Sequence, residues 1–176
     1  MKTKSKLLIL ALITFYSYNC FCQDYSIYNG QVLADGLDMG VDTDKKERGW
    51  VSDMNGYMKM VYPSNQAWGA VFITVGAPRT SPRPFRNFSG YSTLSVEIRG
   101  ENGGEHIEIG IKDNTDPDNG QETKIPINLT QKWQEYEFSL ADFRTAELTH
   151  LYVVIEFIFG GPKGKTAYFR NIQYKR

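Results

Sequence analysis

The sequence predicts an all-β fold built as a two-sheet antiparallel β-sandwich. Three observations support this prediction: short runs of alternating apolar and polar residues, turn-forming residues between the runs, and almost no helical pattern. The only helical signal is the short segment 140–148. The proline-rich segment 77–85 predicts a long crossover loop, because proline lacks the N–H group that a central strand needs.

Nine runs are predicted to be strands, with an edge strand at residues 25–29. The others cover residues 56–62, 68–75, 93–99, 105–112, 123–129, 134–140, 151–159 and 166–174. Several runs have one fully apolar face, and we expect these faces to pack the two sheets together. The opposite face is mixed, and we interpret it as either solvated surface or a binding face. Its members are Glu97, Arg99, His106, Glu108, Lys112, His150, Tyr152, Val154 and Glu156.

The N-terminus has the pattern of a secretory signal peptide. Lys2, Lys4 and Lys6 precede a short apolar run, and Cys20 and Cys22 then form a small-x-small cleavage site. The apolar run is too short to span a bilayer. The pattern predicts a signal peptide at 1–22, one β-sandwich domain at 23–176 and a secreted protein, extracellular or periplasmic. A lipoprotein anchored through Cys20 is the alternative.

Removal of residues 1–22 changes both the cysteine content and the charge. Both cysteines leave, so the mature chain would have no thiol and would depend on its hydrophobic core. Three lysines also leave, and the formal net charge becomes 17 − 20 = −3. A mildly acidic exported protein is a poor candidate for binding nucleic acid or an anionic membrane.

The acidic stretch 113–120, DNTDPDNG, resembles a metal-binding loop only in composition. A calcium loop of the EF-hand kind needs Gly at position 6 and Glu at position 12. Counting from Asp113 puts Asp118 and Lys124 at these positions, so the pattern fails. Because Asn119-Gly120 suits residues with positive φ, we predict a hairpin loop between two strands.

Known catalytic motifs are missing from the sequence. It has no Gly-x-Ser-x-Gly elbow, no His-Glu-x-x-His pair and no glycine-rich phosphate loop. His106 and Glu108 share a strand face and would be the acid–base candidates of an enzyme. No catalytic residue is assigned on this basis.

Three segments carry a resemblance to a known family: residues 88–114, 122–143 and 167–174. They resemble the jelly-roll carbohydrate-binding modules of galactose-binding-like fold, which are found beside bacterial endoglucanases and related glycosidases. The resemblance covers about residues 25–176. It implies non-catalytic binding of a polysaccharide or oligosaccharide, with a glycoside hydrolase in trans as a partner. The alternatives are a small hydrolase or lyase on the same fold and an extracellular assembly or adhesion domain.

The resemblance also raises the question of a structural calcium ion. The closing strand of these modules commonly carries an Asp-Asn pair whose Asp helps to hold calcium. Here Arg170 precedes Asn171, and a cation cannot bind calcium. We therefore expect no required cofactor, and predict that Arg170 replaces the ion by pairing with an acid such as Asp24 or Asp35.

Sugar-binding sites combine an exposed aromatic platform with a few planar polar groups. Trp133 matches a packing position of the family. Trp50 stands in a polar loop without an alternating pattern, which predicts exposure. Trp68 shares a strand face with Phe72 that is either a second core layer or the binding face, and Tyr152 lies on the mixed face. The predicted ligand-binding residues are Trp50, Trp68, Tyr152, Glu97, Arg99, His106 and Glu108.

Overall fold

The structure is a computed structural model that describes residues 23–176, so the predicted signal peptide at 1–22 lies outside the described residues. The described part contains eleven strands, and none of its helices is long and apolar enough to cross a membrane. The strands are β1 (Tyr25–Tyr28), β2 (Leu37–Thr43), β3 (Val51–Asp53), β4 (Met58–Tyr62), β5 (Trp68–Val75), β6 (Thr93–Gly100), β7 (His106–Asp113), β8 (Lys124–Asn128), β9 (Gln134–Ser139), β10 (Leu151–Gly160) and β11 (Lys165–Lys175).

The strands form two antiparallel sheets. Sheet A has the order β3-β4-β11-β6-β9, with β1 also paired to β11, and sheet B has the order β2-β5-β10-β7-β8. Strands that follow one another in sequence often lie in different sheets, so most connections cross the sandwich. The predicted all-β sandwich is confirmed.

The core lies between the sheets and is built by the alternation of the strands. Ile107, Ile109 and Ile111 of sheet B are buried, as are Leu94, Val96 and Ile98 of sheet A. The Phe157 and Phe169 rings stack across the interface with centroids 4.6 Å apart. Burying a side chain of this size contributes about 1.5–3 kcal/mol to the stability of the fold.

An irregularity in β10 corrects one prediction. The pairing of β10 with β5 shifts register between Val153 and Ile155. As a result Val154 belongs to the core, whereas Val153 is paired with Thr74 and Lys112 of the neighbouring strands. The prediction that Val154 lies on the mixed face is wrong, because a bulge reverses the alternation there.

Two strands, β2 and β3, were not predicted, and the predicted helical segment 140–148 is reduced to two short 3₁₀ helices (Leu140–Asp142 and Leu148–His150). In β2, Leu37, Met39 and Val41 do alternate toward the core. The residues between them are Asp and Gly, which are rare in strands and hid the pattern.

Two loop predictions are confirmed. The proline-rich segment lies between β5 of sheet B and β6 of sheet A, so it crosses from one sheet to the other. The acidic stretch begins at the end of β7 and connects β7 to β8 as a hairpin loop. Its positive φ angles fall on Asp118 and Gly120, so the expectation of positive φ holds for Gly120 and is wrong for Asn119.

Candidate functional site

A cleft of about 710 Å³ lies on the outer face of sheet B. Residues of β2, β5, β7 and β10 form its floor, and the loops after β5 and β7 contribute to its sides. We call it the sheet B cleft; it is lined by Asp42, Lys46, Trp68, Ala70, Phe72, Arg79, Arg83, Lys112, Asp118, Asn119, Gly120, Glu122, Lys124, Tyr152, Glu156 and Ile158.

The floor of the cleft follows from the strand register. Gly40, Phe72, Glu156, Gly110 and Lys124 are paired in one row across the five strands of sheet B. A Cβ on Gly40 would overlap the Phe72 ring, and one on Gly110 would meet the Glu156 carboxylate. The two large side chains therefore lie flat over the two glycines, which gives the sheet a broad floor with an aromatic and an acidic surface.

The proline-rich loop covers one side of the cleft. The backbone N–H of Arg79 donates a hydrogen bond to the Tyr152 hydroxyl over 2.9 Å, and the Arg79 guanidinium pairs with Asp42 at 2.9 Å. The Arg83 guanidinium lies 5.3 Å from the centre of the Tyr152 ring and pairs with Asp118 of the β7–β8 loop. Two loops from different parts of the sequence are thus joined over the cleft.

Lys112 is the centre of an ion-pair network in the cleft. Its Nζ lies 3.5 Å from a Glu122 oxygen and 3.8 Å from a Glu156 oxygen, with Asp116 and Asp118 at 4.0 and 3.6 Å. Burial would lower the pKa of Lys112, but the four carboxylates outweigh it and raise that pKa. Lys112 therefore remains charged and holds the β7–β8 loop against the sheet.

Glu156 is the most unusual ionisable group of the cleft. Only 4% of the residue is exposed, and its Oε1 has no hydrogen-bond partner among the described residues. Burial raises the pKa of Glu156 to about 7, despite the opposing charge of Lys112. Near neutral pH its carboxyl group can accept a hydrogen bond when charged and donate one when protonated.

The three tryptophans have three different environments. Trp68 is 43% exposed and lines the cleft, so its strand face is an outer face and not a second core layer. Trp50 is only 7% exposed, and its ring packs edge-on against Tyr62 and Phe159. The prediction of an exposed Trp50 at a binding site is wrong, because the ring folds from its loop back into the core. Trp133 lies on sheet A, outside the cleft.

The other predicted binding residues do not converge. Tyr152 lines the cleft but is buried beneath the proline-rich loop, so it is not an open platform. His106 and Glu108 share the outer face of sheet B with Trp68, outside the cleft lining. His106 contacts the Asn128 side chain at 3.1 Å. Glu97 and Arg99 belong to β6 and so lie on the opposite side of the sandwich, which contradicts a single site.

The residues at the expected calcium position do not fit the ion. Arg170 Nε donates a hydrogen bond to Glu97 over 2.7 Å, and Asn171 Nδ2 donates to the other Glu97 oxygen over 2.9 Å. Burial would raise the pKa of Glu97, but these two contacts outweigh it and lower that pKa. Arg170 pairs with an acid, as predicted, but that acid is Glu97 and neither Asp24 nor Asp35. No group of three or more His, Cys, Asp or Glu side chains placed to hold a metal ion occurs among residues 23–176.

The cleft residues outside the predicted ligand-binding set include Asp42, Phe72, Arg79, Lys112, Glu122, Lys124 and Glu156, of which Lys112 and Glu156 were placed on the mixed face. Asp42 lies on the unpredicted strand β2, and Arg79 lies in a loop whose direction the sequence does not give. Phe72 had a usable signal, because it shares a strand face with Trp68. The remaining residues come together only through the sheet order and the β7–β8 loop.

Comparison with known families decides the identity. The sequence profile of the family described as Carbohydrate binding domain 30 matches residues 23–176. The chain belongs to this carbohydrate-binding family. A comparison with curated protein sequences finds no significant match.

Solved carbohydrate-binding modules share the fold of this carbohydrate-binding domain. A family 11 module from Clostridium thermocellum, in complex with a β-1,3-1,4-mixed-linked tetrasaccharide, has a TM-score of 0.60 at 13% identity, over 86% of this chain and 95% of that one. A point mutant of the family 29 module CBM29-2, complexed with mannohexaose, has a TM-score of 0.58 at 13% identity, over 86% and 90%. A second point mutant of CBM29-2, complexed with cellulohexaose, also has 0.58 at 13%, over 86% and 89%. At these identities the likeness concerns the fold alone.

Proposed function

We propose that the sheet B cleft binds a polysaccharide or oligosaccharide without cleaving it. The observation that carries this proposal is the exposed indole of Trp68 in a cleft that also contains Phe72 and several charged hydrogen-bonding groups. Sugar rings present apolar C–H faces surrounded by hydroxyl groups. An aromatic side chain packs against the C–H face, and carboxylate and amine groups bind the hydroxyls.

Neutral sugars fit the charge distribution of the cleft best. Each of its basic side chains is paired with a carboxylate: Lys46 and Arg79 with Asp42, Arg83 with Asp118, and Lys112 and Lys124 with Glu122. Glu122 Oε2 and Glu156 Oε1 have no hydrogen-bond partner among residues 23–176. An acidic sugar would have to compete with these carboxylates for cations that are already paired. The ligands named for the related folds, such as cellulohexaose and mannohexaose, are therefore reasonable first probes.

The test is calorimetric titration of cellulohexaose, mannohexaose and the mixed-linked tetrasaccharide into the protein and two variants. We expect saturable binding of at least one ligand, and Trp68→Ala should weaken it about thirtyfold, the effect of losing about 2 kcal/mol at an aromatic contact. Met54→Ala is the control, because Met54 is a similarly exposed apolar residue, at 44%, in the β3–β4 connection of sheet A, away from the cleft and its loops. Equal affinities for both variants would reject the cleft as the site.

Absence of catalysis is part of the proposal and needs its own measurement. Incubation of the protein with each bound ligand should release no new reducing ends and no unsaturated products. Glu156 is the group that would act as an acid, since its pKa of about 7 suits proton transfer near neutral pH. Turnover that disappears in Glu156→Gln would show an enzyme and contradict this part of the proposal.

We further propose that the protein is secreted and supports a glycoside hydrolase in trans by binding to the same polysaccharide. The family membership supports this proposal, together with the signal-peptide pattern at residues 1–22. N-terminal sequencing of the exported protein should find Gln23 as the first residue. A lipid-modified Cys20 would instead show the lipoprotein alternative.

A further inference from the structure

The outer face of sheet A carries a second cluster of aromatic and cationic side chains. The strand register places Lys59, Tyr168 and Arg99 side by side in one row, and Trp133 directly precedes β9 at the same end of the sheet. Tyr57 lies edge-on to both Trp133 and Tyr168, with ring centroids 5.8 Å apart in each pair. We call Tyr57, Arg99, Trp133 and Tyr168 the sheet A cluster.

Stacking holds the Arg99 guanidinium in a defined orientation. It lies 3.8 Å from the centre of the Tyr168 ring and 5.4 Å from that of Trp133. A guanidinium packed face-on against an aromatic ring keeps its N–H groups in its own plane, where they can still bind a planar anion. The Arg99 guanidinium is therefore partly dehydrated and already oriented to bind a planar anion.

Arg99 differs from its neighbours in having no acidic partner among residues 23–176. Arg170 pairs with Glu97, and Glu101 accepts a hydrogen bond from the Tyr168 hydroxyl. The Arg99 Nη1 donates a hydrogen bond to the carbonyl of Gly100 over 3.2 Å. Since guanidinium has five N–H donors, the fork that binds a carboxylate is still available.

A groove adjoins this cluster at the edge of the sandwich. It is shallow and open to solvent, and it is lined by residues 102–104 of the β6–β7 loop, residues 129–133 of the β8–β9 loop and Gln134 at the start of β9. Asn102, Gln131 and Gln134 bring amide groups to the groove, and the exposed glycines at 103 and 104 leave the backbone accessible. Amides beside an indole are the groups that bind sugar hydroxyls and a sugar ring face.

We propose that the groove and the sheet A cluster form a second carbohydrate-binding site, which binds an acidic oligosaccharide of the uronic acid class. Trp133 contacts the sugar ring, the amides bind hydroxyl groups, and the Arg99 guanidinium binds the carboxylate of the uronic acid. This site is separate from the sheet B cleft, because it lies on the other sheet. The two sites differ in charge preference, since the cations of the cleft are paired and Arg99 is not.

The experiment is a titration of the protein with α-1,4-linked trigalacturonate, followed by calorimetry and by the Trp133 indole signal in ¹⁵N-labelled protein. The uncharged α-1,4-linked galactotriose is the ligand control. We expect trigalacturonate to bind at least tenfold more tightly than galactotriose, and Arg99→Gln and Trp133→Ala each to weaken that binding about tenfold or more.

Two control variants test whether trigalacturonate binds at this site. Lys163→Gln removes the same charge from an exposed loop and should change the affinity less than twofold. Trp68→Ala alters the sheet B cleft and should also leave trigalacturonate binding unchanged, whatever it does to neutral sugars. The proposal is overturned if trigalacturonate does not bind, if Lys163→Gln weakens binding as much as Arg99→Gln, or if Trp68→Ala abolishes it. Melting curves of each variant confirm that it is folded.

Discussion

At the scale of single residues, Glu156 makes the stability of the protein depend on pH. Its folded pKa of about 7 lies above the ordinary value of 4.5, so the folded protein holds a proton that the unfolded chain releases. The stability that this proton gives to the folded state is fully present below about pH 4.5 and is lost as the pH rises through 7. The charged groups that influence it are Lys112, Glu122, Lys124 and Asp116.

We predict that Glu156→Gln flattens this dependence. Between about pH 5 and pH 8 the free energy of unfolding of the wild type should fall by about 2–3 kcal/mol more than that of the variant. Urea unfolding at each pH measures the difference. Glu108→Gln, which makes the same chemical change at a half-exposed position on the next strand, should follow the wild type. Parallel pH profiles for wild type and Glu156→Gln would contradict the prediction.

The tryptophans show how far single residues can be predicted from sequence. The face of Trp68 follows from the alternation of its strand, and its exposure on the outer face agrees with that pattern. Trp50 has no such pattern around it. Its burial depends on Tyr62 and Phe159, which come from two distant strands in different sheets, so local sequence carried no signal for it.

At the scale of elements, the pairing of β2 with β5 depends on a glycine. Phe72 can lie flat in the cleft only because Gly40, its partner on β2, has no side chain. We predict that Gly40→Ala lowers the free energy of unfolding by about 1–3 kcal/mol, as expected for overpacking, and weakens glycan binding by displacing the Phe72 ring. Urea unfolding and calorimetry measure the two effects.

Gly160→Ala is the control for this substitution. Gly160 is the exposed last residue of β10, and an added Cβ there would meet no atom within 4 Å. It should change the free energy of unfolding by less than about 1 kcal/mol, in the range of a surface substitution. If Gly40→Ala were equally harmless, the close packing of Phe72 over β2 would not control the shape of the cleft.

Most strands were predictable because their residues alternate over five or more positions. The strands that were not predicted show the limits of alternation as a signal. The polar positions of β2 are Asp and Gly, and β3 has only three residues, too few to show a period. The bulge in β10 could not be foreseen, since it depends on how three strands align across the sheet.

At the scale of the whole molecule, the sequence did not show which residues of the predicted mixed face belong to which sheet. Glu97 and Arg99 follow the same alternating pattern as His106 and Glu108, and the two runs are consecutive in the chain. The β6–β7 connection nevertheless crosses the sandwich, so the pairs point in opposite directions. Sheet membership is a long-range property, which explains why one predicted site became two surfaces.

The closing strand β11 leads to a prediction for the stability of the entire sandwich. The Arg170 guanidinium and the Asn171 amide both bind the Glu97 carboxylate. This ion pair links β11 to β6 without a metal ion. We predict that calcium at millimolar concentration, compared with excess chelator, shifts the melting temperature of the protein by less than about 1 °C. An ion present at about a hundred times its dissociation constant would stabilise the folded state by about 2.7 kcal/mol. For a domain of this size, that gain would raise the melting temperature by several degrees. Magnesium at the same concentration controls for ionic strength, and a rise specific to calcium would show that an ion site exists despite Arg170.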